Sequence, residues 1–404
     1  MRDLPYASAT RGSDGRSPVY LDHAATTPVE PRVLDVMLPY FSSISGNPSS
    51  VHEAGRDARA GLDWARGTIA RMLGCRPRQL VFTGGATEAN NLAIHGVVQH
   101  HLLESPDVRP HVVTSAIEHH AVLHVVEALA EEIDVEVSIV PVDASGIVRP
   151  DDVREALRPE TCLVSVMYAN NEIGTIQPIR DIAALVHEHG ALFHTDAVQA
   201  AGALPLDVDD LGVDLLTISA HKFYGPKGVG LLYIREGVQI RPIIVGGGQE
   251  RALRSGTENV PGIVGMAAAL QIAVEERDER NRHDRELRDR LREGLLERIP
   301  DSFVNGDIDR RLPNNLNIGF TGVDGESILL DLDLNGIAAS SGSACASATS
   351  EPSHVLGAIG LDERQSDGTL RLTVGRSTTA EQIDRVIDVI VASVQRVREL
   401  NAPR

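Results

Sequence analysis

A chain of 404 residues, 42% of them apolar and 24% charged, has the composition of a globular protein, and its length predicts one large and one small domain. Its formal net charge of −19 at pH 7 excludes a general nucleic-acid binder, because phosphate contact needs clustered Lys and Arg. No apolar run approaches the roughly 18 residues that a membrane span requires.

The chain opens on a polar, Gly/Ser-rich stretch, Met1–Ser17, read as a flexible arm without the apolar centre of a signal peptide. From Gln79 to Arg235 short apolar runs alternate with amphipathic stretches. Strands are predicted at Gln79–Thr83, His111–Thr114, Val135–Val140, Leu163–Tyr168, Leu192–Asp196, Leu215–Ser219 and Gly230–Ile234. Helices are predicted at Glu88–His101, about His120 to Ala130, and Ile179–His189. This alternation predicts an α/β protein whose large, mostly parallel sheet is covered on both faces. Ligands of such sheets sit at the carboxyl ends of the strands, so polar residues just after each strand carry the most information.

The pattern changes after Gly262. One long helix is predicted over Ala267–Arg298, then a strand at Leu316–Gly319 and a helix at Ser327–Leu334. A Gly/Ala/Ser-rich stretch, Ala338–Ser350, precedes a strand at Leu370–Val374 and a closing helix at Ala380–Leu400. The domains expected are the arm 1–17, a large domain 18–262 whose first residues pack on the other domain, and a smaller α/β domain 263–404.

Four segments carry residues of chemical interest. Thr83-Gly84-Gly85-Ala86-Thr87-Glu88 joins a strand to a helix. Free N–H groups and the helix dipole favour a phosphate there, although a plain tight turn has the same look. Asp196 ends a strand, where a carboxylate can pair with a protonated ring nitrogen or simply cap the next helix. Lys222, in Ser219-Ala220-His221-Lys222-Phe223, follows the next strand in a position suited to a Schiff-base lysine; it matches no Walker loop.

Cys345 lies among small residues in Ser341-Gly342-Ser343-Ala344-Cys345-Ala346-Ser347, a setting that fits a travelling nucleophile rather than a core residue. Cys75 and Cys162 read as structural. Three cysteines without close spacing argue against a disulfide framework and for a reducing compartment, read as the cytoplasm. The paired histidines show no metal spacing. His119 differs from the others because it follows a strand at the same sheet edge, where a flat ring could stack on a cofactor.

In order along the chain, these segments resemble the cysteine desulfurases, the sulfur-mobilising branch of the class V aminotransferase-like enzymes. The resemblance runs from Tyr20 to about Leu400. It also rests on Tyr20-Leu21-Asp22-His23-Ala24-Ala25-Thr26-Thr27-Pro28, Gly46-Asn47-Pro48-Ser49-Ser50-Val51-His52, Glu118-His119-His120-Ala121-Val122, Asn170-Asn171-Glu172-Ile173-Gly174 and Arg254-Ser255-Gly256-Thr257. The long stretch of small residues around Cys345 looks like the subgroup that feeds iron–sulfur cluster assembly.

The resemblance implies pyridoxal-phosphate fold type I, a homodimer and one pyridoxal 5'-phosphate per chain. Lys222 would hold the cofactor, with Asp196 on its ring nitrogen, Gln199 on its ring hydroxyl, His119 stacked on it and Asn171 beside it. Ala86, Thr87, Ser219 and His221 would hold the phosphate, with Thr257 reaching in from the partner chain. Gly84, where many relatives carry Ser, would serve the phosphate through its backbone. Arg371 would clamp the substrate carboxylate, helped by Asn47. Lys222, Cys345 and His119 would be catalytic, turning L-cysteine into L-alanine and a persulfide on Cys345 that is passed to a scaffold or other acceptor protein. No resident metal is implied, though Cys345 could transiently ligate an iron–sulfur cluster. A class V aminotransferase would share Lys222 and Asp196 without needing Cys345, and a selenocysteine lyase would use nearly the same residues. A scaffold that kept only the fold should have lost Lys222 or Asp196, and both are present.

Overall fold

The computed structural model describes residues 17–341 and 353–401. The expected arm, save for residue 17, and residues 342–350 of the stretch around Cys345 therefore lie outside the described residues. Strands are numbered along the chain. β1 (Val19–Tyr20) precedes seven that form one sheet: β2 (Leu80–Thr83), β3 (His111–Ser115), β4 (Glu136–Val140), β5 (Thr161–Ser165), β6 (Leu192–Asp196), β7 (Leu215–Ser219) and β8 (Gly230–Ile234). Their order across the sheet is β2-β8-β7-β6-β5-β3-β4. From β7 to β4 every pair is parallel, while β8 runs antiparallel to both β7 and β2. The sheet is mostly parallel, and β2, β3, β7 and β8 are buried at every position. The carboxyl ends of β2, β3, β5, β6 and β7 lie on one edge, because β8 is the strand that points the other way.

Helices cover both faces. On one side, Val260–Glu275 and Glu53–Met72 pack with Ile179–His189 over residues such as Phe193, Leu216 and Leu231. On the other, Ala86–Glu104 and His120–Ile133 cover Val81, Val112, Leu163 and Leu232. Val260–Glu275 thus belongs to the core of the large sheet. The long helix expected over Ala267–Arg298 is two helices, Val260–Glu275 and Arg277–Arg298, broken at Glu276 (φ −97°, ψ 5°). Composition changes at that joint. The first half is apolar and buried; the second is rich in Arg and Glu.

A second core is built on a four-stranded sheet, ordered β12-β13-β10-β9. Its strands are β9 (Ser302–Val304), β10 (Asn315–Phe320), β12 (Ser340–Ser341) and β13 (Thr369–Thr373). Arg277–Arg298, Gly325–Leu334 and Ala380–Asn401 pack on it. The chain's first described strand joins this half: β1 pairs in parallel with β11 (Ile337–Ala338), and Val19 and Leu21 enter its core. That crossing carries Asp22–Thr26 to the large sheet's edge. No helix among the described residues is long and apolar enough to cross a membrane.

Candidate active site

The strand ends and the Asp22–Thr26 crossing enclose a cavity of about 860 Å³. Ala86 and Thr87 line it with His119, Asn171, Asp196 and Gln199, and so do Ser219, His221, Lys222 and Arg371. Asn47 and Thr257 are exposed and do not line it in this chain. Asn47 Oδ1 instead accepts from the Ser49 N–H at 2.9 Å.

At one end of the cavity the helix Ala86–Glu104 starts without a side-chain cap. Its first intrahelical bond, Ala89 N–H to Gly85 O, leaves the N–H groups of Ala86, Thr87 and Glu88 without backbone acceptors. Gly85 has φ 156° and ψ 179°, a conformation open essentially to glycine alone. Gly230 lets β8 approach this turn, since a Cβ there would fall 2.5 Å from the Gly85 carbonyl carbon. The expectation that the Gly84 backbone serves a phosphate needs correcting on one point. The Gly84 N–H donates to Glu88 Oε2 at 2.9 Å, so the open N–H groups are those further along the turn.

At the ends of β6 and β7 sit the charged groups. Asp196 is buried; its Oδ2 accepts from Asn90 Nδ2 at 2.7 Å and its Oδ1 from the Val198 N–H at 3.0 Å. Both donors are neutral, so a cationic ring nitrogen would be a favoured third partner. Lys222, in the 3-10 turn Ala220–Lys222, donates through Nζ to the carbonyls of Ala24 at 2.5 Å and Ala25 at 2.8 Å. Gln199 Nε2 donates to the same Ala24 carbonyl at 3.0 Å. Burial, with Lys222 and Lys227 adding to it, pushes the His221 ring down to about 4, which leaves it neutral at pH 7.

His119 caps the helix His120–Ile133, its Nδ1 accepting from the Ala121 N–H at 3.0 Å. An accepting Nδ1 puts the proton of the neutral ring on Nε2. Burial holds the ring's pKa below the ordinary value; Asp196 opposes that shift and Lys222 supports it.

Arg371 on β13 comes from the smaller core and is 2% exposed. Its Nη2 pairs with Asp22 Oδ1 at 2.9 Å, and its Nη1 donates to Asn171 O at 3.2 Å. Its Nε has no partner among the described residues. A buried guanidinium N–H left open in a cavity wall fits an incoming carboxylate. An open phosphate turn, a buried carboxylate with neutral partners and a lysine at a strand end together fit pyridoxal phosphate.

Two buried glutamates flank the site. Burial pushes the Glu118 carboxyl up to about 8, although Ser115 Oγ and the Met167 N–H both donate to its Oε1. Burial likewise raises Glu172 to about 7, against the pull of Ser353 and Arg371. Glu118 holds in the folded state a proton that the unfolded chain releases near the ordinary value of 4.5. Its contribution to stability is therefore greatest below pH 4.5 and is lost as pH rises toward 8. Glu118→Gln is expected to flatten the fall of melting temperature across this range in calorimetry; an unchanged slope would contradict the assignment.

Asp22, Ala24, Ala25 and Asn90 had no role assigned from the sequence. The first three lie in the motif Asp22-His23-Ala24-Ala25, whose order was visible but whose use, as a counter-ion and a pair of carbonyls, was not. For Asn90 the signal was a polar residue on the buried helical stripe of Ala89, Ala93 and Val97. Cys75 and Cys162 are partly buried, and burial pushes both thiols up to about 12, as suits structural cysteines.

A pyridoxal-phosphate enzyme of fold type I is the class that this sheet edge and cavity define. Residues 19–386 match the family described as Aminotransferase class-V, and the chain belongs to that family. It is 48% identical over 383 residues to the cysteine desulfurase IscS of Dictyoglomus turgidum, covering 95% of this chain and 96% of that protein. With the cysteine desulfurase IscS of Methanosarcina thermophila it shares 49% over 383 residues, 95% of this chain and 93% of the other. A solved structure described as a NifS-like protein superposes with a TM-score of 0.87 at 38% identity, covering 94% of this chain and 100% of its own.

Proposed function

We propose that the chain is a pyridoxal-phosphate-dependent cysteine desulfurase, which releases L-alanine from L-cysteine and leaves the sulfur as a persulfide on Cys345. One observation carries the reading. A single cavity brings Lys222, Asp196 and the open helix start together with a buried arginine whose Nε has no partner among the described residues. The cysteine desulfurases similar to this chain support the choice of substrate.

Bound here, pyridoxal phosphate supplies an electron-poor ring able to hold the electron pair left by the substrate's α-proton. The chain does the rest. Ala86, Thr87, Ser219 and His221 would hold the phosphate; Asp196 would hold the ring nitrogen and Gln199 the ring hydroxyl, with His119 and Asn171 beside the ring. Lys222 Nζ would hold the cofactor, and the same amine moves the substrate's α-proton. Arg371 orients the substrate through its carboxylate, with Asn47 as a second contact. The Cys345 thiolate forms a bond to the substrate sulfur as the Cβ–S bond breaks. The electron pair of that bond passes to Cβ, which takes a proton, so alanine leaves and no external oxidant is consumed. His119 Nε2 is a site for proton exchange.

A homodimer, with Thr257 completing the partner's phosphate site, accounts for the exposure of Thr257 in the single chain. We place the protein in the cytoplasm, passing sulfur to an iron–sulfur scaffold or another thio-cofactor acceptor. The activity is tested by giving the cofactor-loaded protein L-cysteine. Alanine should accumulate, and none would appear if the reading were wrong.

Arg371→Lys tests the carboxylate grip, because lysine keeps the charge but loses the fork. A charge-assisted hydrogen bond is worth roughly 1.5–3 kcal/mol, so apparent cysteine affinity should fall about ten- to hundredfold with the cofactor retained. Cysteamine, which lacks the carboxylate, should react about equally poorly with both proteins. Early melting with normal cysteine affinity would instead make Arg371 a purely structural partner of Asp22.

A further inference from the structure

Two charged side chains beside the phosphate turn take no part in the chemistry above. Glu88 lies in the first turn of the helix Ala86–Glu104 and lines the same cavity. A carboxylate there opposes the phosphate that the helix start attracts. It is not left bare. Glu88 Oε1 accepts from Arg254 Nε at 2.8 Å, and Arg254 Nη2 lies 3.4 Å from Oε2. The same Oε2 accepts from the Gly84 N–H at 2.9 Å. One carboxylate thus joins the phosphate turn to a guanidinium 166 residues further along the chain.

The surroundings fix this joint. A Cβ at Gly84 would fall 2.7 Å from Glu88 Oε2, so the missing side chain leaves room for the carboxylate. Arg254 pairs through its backbone with Ile244. Just before it, Glu250, Arg251 and Ala252 all have positive φ, at 47°, 58° and 63°. That left-handed turn is held by Glu250, which pairs with Arg66 and accepts from the Phe82 N–H of β2 at 3.1 Å. The segment reaching Arg254 is therefore tied at its Glu250 end to the strand that leads into the phosphate turn, and at Arg254 to Glu88 beyond that turn.

The geometry points to Arg254 as a positioning residue for the cofactor phosphate, acting by neutralising Glu88 and holding its carboxylate against the Gly84 N–H. This rests on reading the turn Gly84–Thr87 as the phosphate site. Arg254 and Glu88 keep 24% and 21% of their side-chain surface exposed, so the effect is that of a partly screened charge.

The test titrates apo-protein with pyridoxal phosphate and with pyridoxal, following the cofactor's absorption. Arg254→Gln strands the Glu88 charge beside the phosphate and should weaken pyridoxal-phosphate binding about tenfold. Arg254→Lys should lose less. Removing both charges, in Glu88→Gln/Arg254→Gln, should recover most of the affinity. Pyridoxal, having no phosphate, should bind all of these proteins equally. If the unaltered protein held the two ligands equally well, the phosphate site itself would be misplaced and the inference would fall with it. If the unaltered protein discriminates but Arg254→Gln weakens both ligands alike, Arg254 is merely structural. A double variant no better than Arg254→Gln would overturn the proposal in the same way.

Discussion

Lys222→Ala is expected to abolish alanine release, with a loss of at least about a thousandfold, within the range that positioned acid–base groups supply. The side chain reaches two backbone carbonyls, those of Ala24 and Ala25. A melting temperature close to that of the unaltered protein should accompany the loss, separating lost chemistry from a lost fold. Borohydride should trap the cofactor on Lys222 in the unaltered protein, on a peptide that mass spectrometry can identify. The variant should take up pyridoxal phosphate through the same phosphate and ring contacts yet trap none. A variant that still turned over cysteine at a tenth of the normal rate would place the attachment elsewhere.

Cys345→Ser separates the two halves of the chemistry. The cofactor's absorption should be unchanged, because its attachment is assigned to Lys222 and does not need the Cys345 thiol. Persulfide should vanish and alanine release should fall by orders of magnitude, since an oxygen nucleophile accepts sulfur poorly. The unaltered protein should also speed up as pH approaches the thiol's ordinary pKa of about 8.5, because the thiolate is the attacking form. Normal alanine release from the serine variant would remove Cys345 from the reaction.

The strands at the heart of the site were legible because each is short and β-favouring, and those ending in Asp196 and Ser219 close on a polar residue. Leu192–Asp196, Leu215–Ser219 and Gly230–Ile234 have the bounds that the sequence predicts. The helix Glu53–Met72 was not read from the sequence. Its buried face is built from Gly55, Ala58, Gly61, Ala65 and Ala70 with only Leu62 and Ile69 among them, so close packing replaces an apolar stripe. The break at Glu276 was missed because both halves favour helix and only tertiary packing ends the first.

At the site, single residues were visible and their partners were not. Arg371 stood out as a charge within an apolar strand, but Asp22 lies 349 residues away. Asp196 showed itself at a strand end, while Asn90, which orients it, is carried by the helix Ala86–Glu104. Asn47 and Thr257 are exposed in the single chain, where the cavity offers them no contact.

The most direct measurement tracks sulfur and carbon together in one turnover. The cofactor-loaded protein is mixed with cysteine in the absence of any reductant or acceptor; alanine is counted, and the peptide containing Cys345 is weighed by mass spectrometry. One alanine should appear for each chain that gains a single sulfur atom, and that atom should sit on Cys345. Alanine formed with no sulfur on Cys345, or sulfur found on Cys75 or Cys162 instead, would contradict it.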